Sequence, residues 1–156
     1  FGEQAFVTQA VKAGVDGMII PDLPPEEATS FISKARKVHL ATIFFLAPTT
    51  NPKRIPLIAQ SSRGFIYYVS VSGVTGARKA LPQILVRNLK NVKAKVSKPL
   101  CVGFGISSAE QVKQLGRVCD GVIVGSAIVK EILRNRGRKD LVKKVAHFVR
   151  SLSSHV

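Results

Sequence analysis

Three glycine-containing segments each follow a short apolar run: Ser72-Gly73-Val74-Thr75-Gly76, Gly103-Phe104-Gly105 and Gly125-Ser126. A backbone without Cβ lets a ligand approach closely, and successive N–H groups can wrap an anion. Gly125-Ser126 also opens a helical pattern, where unpaired N–H groups and the helix dipole favour phosphate. Brought together, the three loops would make a phosphate cup; taken singly, each glycine only permits a tight turn. Acid–base groups are scarce around them. Asp22 directly follows a strand pattern, placed either to act as a base or to cap the next helix, and Glu26 and Glu27 sit at a helix start. Tyr67 and Tyr68 alternate in direction along a strand, so one faces inward, donating a hydrogen bond to a ligand or filling core space. His39, His147 and His155 are scattered; no Cys–His spacing suits zinc and no hydrolase triad assembles.

These loops are held by a repeat. Apolar runs at 15–20, 41–46, 64–70, 99–103 and 120–124 read as short strands buried on both faces. Helical periods lie between them. Phe6, Ala10 and Ala13 form one face of an opening helix. A second helix starts at Pro24-Pro25-Glu26-Glu27, where proline is tolerated and carboxylates meet the positive end of the dipole, and turns Phe31, Ile32, Ala35 and Val38 inward. A third starts at Asn51-Pro52 with Ile55, Ile58 and Ala59 inward, and Pro56 makes it short or irregular. Leu85, Leu89, Val92 and Val96 mark a helix with a basic outer face. Ser107 and Glu110 form a capping box before Val112, Leu115 and Val118. Val129, Ile132 and Leu133 follow Gly125-Ser126, Arg136-Gly137-Arg138 breaks that helix, and Leu141, Val145, Phe148, Val149 and Leu152 mark the last one.

Strand–helix alternation of this kind builds a parallel sheet, whose functional loops gather at the carboxyl ends of the strands, where all three glycine segments fall. No linker interrupts the pattern, so one domain is expected over 1–156. Five βα units in 156 residues are five eighths of a (β/α)8 barrel of about 250 residues. A complete, doubly wound, five-stranded sheet also fits the length.

Composition narrows the classes further. With 46% apolar and 21% charged residues, the chain is no disordered tail, collagen-like fibre or disulfide-dense module. Cys101 and Cys119 fit a reduced, cytosolic setting. No apolar run approaches the roughly 18 residues of a membrane span, and no secretory signal pattern opens the chain. The sequence begins at Phe1 inside a helical pattern, so the start of a longer protein is expected to be missing. The net charge is +15, and no acidic residue occurs between Glu27 and Glu110. Such a field attracts nucleic acid or a phosphorylated small molecule; it also fits the solvated polar faces of amphipathic helices. No interleaving of aromatic and basic residues points to base stacking.

Taken in order, Gly14-Val15-Asp16-Gly17, Ile20-Pro21-Asp22-Leu23-Pro24, Leu46-Ala47-Pro48-Thr49, Ser72-Gly73-Val74-Thr75-Gly76-Ala77-Arg78, Val102-Gly103-Phe104-Gly105-Ile106-Ser107 and Asp120-Gly121-Val122-Ile123-Val124-Gly125-Ser126-Ala127 carry a family likeness. The chain resembles the C-terminal part of the tryptophan synthase alpha chain. The resemblance implies the last five βα units of a TIM (β/α)8 barrel, from a cytoplasmic lyase (plastid if the source is a plant or alga). That family cleaves indole-3-glycerol phosphate to indole and glyceraldehyde 3-phosphate. It implies phosphate binding at Gly76, Gly105, Gly125 and Ser126. Tyr67, Phe104, Ile19, Phe45 and Thr75 would lie near the indole ring, with Asp22 beside the pocket in a supporting role and Tyr68 facing the helices. The implied partner is the beta chain, in an alpha2beta2 tetramer; the family's pyridoxal phosphate belongs to that chain, with no cofactor in this one, no nucleic acid and no membrane. The family's catalytic Glu and Asp come from the second strand and the loop after it, positions expected before Phe1, as is the loop that engages the beta chain. The segment alone is then expected to be inactive. A non-catalytic phosphate-ligand-binding or partner-binding remnant is the alternative.

Overall fold

In a computed structural model that describes residues 1–70, 81–103 and 105–153, the five apolar runs become six short strands, all paired in parallel. They are β1 (Gly17–Ile19), β2 (Ala41–Ile43), β3 (Phe45–Leu46), β4 (Ile66–Val69), β5 (Leu100–Gly103) and β6 (Gly121–Ile123). The expected strand at 41–46 divides at Phe44. Its first half pairs with β1, placing Ile43 opposite Ile19; its second half pairs with β4, placing Phe45 opposite Tyr67. The bond from Tyr67 N–H to the Phe44 carbonyl, 3.0 Å, bridges the division. The order β3-β4-β5-β6 then runs on without a crossover. Among the described residues β1 and β6 are paired on one side only.

Register separates the two faces. Phe45, Tyr67, Cys101 and Gly121 stand in one row, Val69, Gly103 and Ile123 in the next row on the same side, and Leu46, Tyr68, Val102 and Val122 point the other way. The helices cover that second face. They are α1 (Glu3–Lys12), α2 (Thr29–Lys37), α3 (Ile55–Ser61, entered through a 3-10 turn at Pro52–Arg54), α4 (Gln83–Lys93), α5 (Ala109–Leu115), α6 (Ser126–Arg134) and α7 (Leu141–Ser153). Leu46, Ile66, Tyr68, Leu100 and Val102 pack under Ile58, Leu89 and Leu115 to form the main core. A smaller core joins Val7, Ala10, Phe31, Ala35 and Leu40. A doubly wound sheet would carry helices on both faces. Here one face stays open, and Ile19 on it is 42% exposed.

Several local expectations are corrected. The second helix starts at Thr29, not at the prolines; residues ahead of it form turns, and Glu26 accepts two bonds from Arg54, at 2.6 and 2.8 Å, instead of serving a helix terminus. The capping box belongs to Ser108 and Gln111, one position later than Ser107 and Glu110. In α1, Ala10 is buried as expected, but its partner on the buried face is Val7, while Phe6 and Ala13 are exposed. Val129, Ile132 and Leu133 of α6 are exposed, as is Val149 of α7, where only Leu152 is buried. By contrast Asn51 starts the 3-10 turn as expected, its side chain accepting from Lys53 N–H at 3.0 Å.

Candidate functional site

Neighbouring parallel strands end together, so their loops leave side by side. Gly103 of β5 pairs with Ile123 of β6, and two residues beyond each lie Gly105 and Gly125. Both glycines are exposed, and a Cβ built on either meets nothing within 4 Å. Gly105 has φ +76, a conformation that glycine adopts without strain. Gly125 is the N-cap of α6 and has no side-chain cap, and exposed Ser126 opens the helix. The first intrahelical bonds to its cap come from Ile128 and Val129, at 2.9 and 3.1 Å. The N–H groups of Ser126 and Ala127 therefore precede the intrahelical ladder and are free to meet an anion. The strand on the other side is fastened to the same place: Ser70, just after β4, donates its N–H and its hydroxyl to the Gly103 carbonyl, at 3.2 and 3.0 Å. Gly76 and Thr75, from the loop that follows, and Phe104 lie outside the described residues.

Beneath these loops the open face carries three of the expected ring-contacting residues. Ile19, Phe45 and Tyr67 all point to it, and the Phe45 and Tyr67 rings lie 5.1 Å apart at a tilt of 37°. Burial raises the Tyr67 phenol pKa above its ordinary value, so at neutral pH it is a neutral hydrogen-bond donor. Tyr68 points to the helices, as expected, and its hydroxyl is buried without a hydrogen-bond partner. Burial raises that phenol pKa too, with Asn88 pulling the other way without reaching bonding geometry.

Asp22 is exposed in the turn after β1. It caps nothing, since α2 begins seven residues later with Ala28 as N-cap. His39 and His147 are exposed and far apart in the fold's order; His155 lies outside the described residues. Both cysteines are free, and burial pushes the Cys119 thiol up to about 11. Neither is poised as a nucleophile.

Two residues hold the site in shape in ways that sequence reasoning did not reach. Asp120 was legible only as a strand start, yet its Oδ2 accepts from the Leu100 N–H at 2.7 Å and from Lys93 Nζ, tying β6 to β5 and to α4. The Leu100 N–H and then Lys93 hold its carboxyl below the usual range. Gly103 is the second: its missing Cβ is what gives the Tyr67 ring its place. An Asp-Gly pair and a glycine at a strand end carry no signal specific enough to announce either role.

Comparison with known proteins bears on the family and the fold. The family model described as "Tryptophan synthase alpha chain" matches residues 1–156. The tryptophan synthase alpha chain of Pelobacter propionicus is 43% identical over 152 residues, covering 97% of this chain and 57% of the relative. That of Geotalea uraniireducens is 45% identical over 156 residues, covering 100% and 58%. Among solved structures, the Legionella pneumophila alpha subunit superposes with a TM-score of 0.86 at 36% identity, over 99% of this chain and 56% of that one. The Pyrococcus furiosus structure described as the a2b2 complex gives 0.86 at 36%, over 98% and 61%. The chain thus spans less than two thirds of the relatives it matches.

Proposed function

The chain belongs to the tryptophan synthase alpha chain family, and from that premise we propose that it is the substrate-holding part of a lyase that cleaves indole-3-glycerol phosphate to indole and glyceraldehyde 3-phosphate. The six strands among the described residues are those of a partial TIM barrel. The reading rests on one observation above all: Gly105 and the Gly125-Ser126 helix start leave paired strand ends, directly over the face that carries Tyr67, Phe45 and Ile19. A phosphate dianion on the Ser126 and Ala127 N–H groups would leave the ring end of the substrate pointing down to those side chains.

The cleavage needs a proton delivered to indole C3 and a proton taken from a glycerol hydroxyl. We assign both transfers to the family's Glu and Asp, outside these 156 residues. The described carboxylates of Glu3, Glu26, Asp120, Glu131 and Asp140 are engaged in ion pairs, and Asp22 stands beside the pocket as a supporting group. In this reading the chain uses no cofactor of its own, and a beta chain in the cytoplasm receives the indole. Indole release by the purified 156-residue chain at saturating substrate tests the division of labour. The expected result is no turnover near the ordinary enzymatic scale of about 1 per second; turnover at that rate would show that the acid–base pair lies within the chain.

A further inference from the structure

Among the described residues, the Tyr68 hydroxyl is the one buried side-chain polar atom without a hydrogen-bond partner. A buried polar group left unmet costs free energy unless something outside the chain meets it. Tyr68 also borders a cleft of about 160 Å³ between α4 and the segment that leads from β3 into α3. The cleft has two unlike walls. Pro48, Pro52 and Ile55 make an apolar one. The other is polar: Asn88, Asn91 and Lys95 stand at helical spacing along α4 and just past its end. Lys95 makes no ion pair among the described residues. Burial raises the Tyr68 phenol pKa, so at neutral pH the hydroxyl has a proton to donate. Every residue lining the cleft lies between 46 and 95, remote from both ends of the chain. The cleft is on the helix side of the sheet, away from the face that carries Phe45 and Tyr67.

We propose that this cleft binds a small organic carboxylate about one ring in size, its apolar body against Pro48, Pro52 and Ile55 and its carboxylate toward Asn91, Lys95 and the Tyr68 hydroxyl. A space of about 150 Å³ admits a benzene molecule, so this one suits a guest of benzoate size. Asn88 stands beside the hydroxyl. An Asn side chain turns about χ2 over a broad range of angles, so Asn88 clears the hydroxyl for the guest and donates an N–H of its own. The charge on the guest follows from the polar wall: Lys95 offers a cation without an internal counter-ion, and an ionised acceptor makes the stronger bond with a phenol. Water can meet the hydroxyl, but it cannot cover an apolar wall with gain. None of these residues belongs to the phosphate loops or to the ring-contacting set, so the assignment stands whether or not the lyase reading does.

Nuclear magnetic resonance titration of the protein with sodium benzoate tests it, with benzamide as the neutral comparison and sodium chloride as the ionic one. Benzoate should shift the side-chain amide signals of Asn88 and Asn91 and the methyl signals of Ile55, saturating with a Kd of about 1 mM or below. Tyr68→Phe removes the hydroxyl and keeps the ring, and it should weaken binding roughly tenfold or more. Lys95→Gln, at an exposed position, should weaken it roughly threefold or more. Both variants should keep the remainder of the spectrum. Benzamide should bind roughly tenfold more weakly than benzoate. Absence of saturable shifts at these residues overturns the proposal and leaves the hydroxyl to water. Benzoate binding that Tyr68→Phe does not alter overturns it as well, as does equal binding of benzamide or an equal response to chloride. Shifts centred on Phe45 and Tyr67 would place the carboxylate on the other face of the sheet and also overturn it.

Discussion

Gly103 is the surface on which the Tyr67 ring rests. A Cβ placed on Gly103 would fall within 2.6 Å of Tyr67 Cε2 and 2.8 Å of its Cζ, and nearer still to the hydroxyl oxygen. The two residues sit on adjacent strands of the open face, one row apart in register. A ring lying across a neighbouring strand needs a residue there with no side chain. The same glycine ends β5 and receives both bonds from Ser70, so one position sets the ring's place and the start of the loop above it.

Replacing Gly103 with Ala should therefore displace the ring. The cost of forcing an extra methyl into packed space is about 1–3 kcal/mol, read as a lower urea midpoint. Adding Tyr67→Leu to Gly103→Ala removes the obstructing ring, and the double variant should be more stable than the sum of the single changes predicts. Strict additivity would show that the Cβ finds room without moving Tyr67.

The two tyrosines should part company on substitution to Phe. The Tyr68 hydroxyl is buried without a hydrogen-bond partner, so its removal is expected to leave stability unchanged or raise it by about 1 kcal/mol. Tyr67→Phe removes a donor from the open face, where it should weaken ligand binding and leave the urea midpoint nearly unchanged. A large loss of stability in Tyr68→Phe would mean that the hydroxyl is satisfied in solution.

Asp120 gives the acid side of the stability curve a specific contributor. Its pKa is lowered in the folded chain from 3.8, first by the Leu100 N–H and then by Lys93. A lowered folded value means stabilisation that is complete above the unfolded pKa and lost as pH falls through the folded one. Asp120→Asn should be less stable than the parent at neutral pH. The gap should close as pH drops below about 4. Urea midpoints at a series of pH values check this; a gap independent of pH would mean that the carboxylate charge contributes nothing.

Much of the framework was legible because alternating strand and helix periods are strong signals. The five apolar runs all became strands, and register bore out the opposite directions of Tyr67 and Tyr68. What escaped was decided by partners remote in sequence. Glu26 looked like a helix-start carboxylate because Pro24 and Pro25 precede it, but Arg54 draws it away and the helix waits until Thr29. Phe44 gave no sign of dividing its strand, since an unbroken apolar run does not say which neighbour each half will pair with. In α6, Val129, Ile132 and Leu133 form a stripe that predicts burial, and they stand exposed. A stripe shows that a face suits covering without saying what covers it. For the site, Gly105, Gly125 and Ser126 could be read as a phosphate cup because helix starts and glycines have general anion chemistry. The support given by Gly103 and Asp120 depends on contacts with Tyr67, Leu100 and Lys93, and no spacing rule conveys that.

The central claim is that Gly105 and the Gly125-Ser126 helix start hold the substrate's phosphate. Calorimetric titration of the protein with a glycerol phosphate ligand, beside the same protein carrying Gly125→Asp, tests it most directly. The substitution puts a carboxylate into space that is open in the fold, with nothing within 4 Å of the new Cβ, so the folded structure should persist while the anion is repelled. The account predicts at least a tenfold loss of affinity, about 1.4 kcal/mol, with an unchanged urea midpoint. Equal binding by the two proteins would contradict it and place the anion on the chain's Lys and Arg side chains instead.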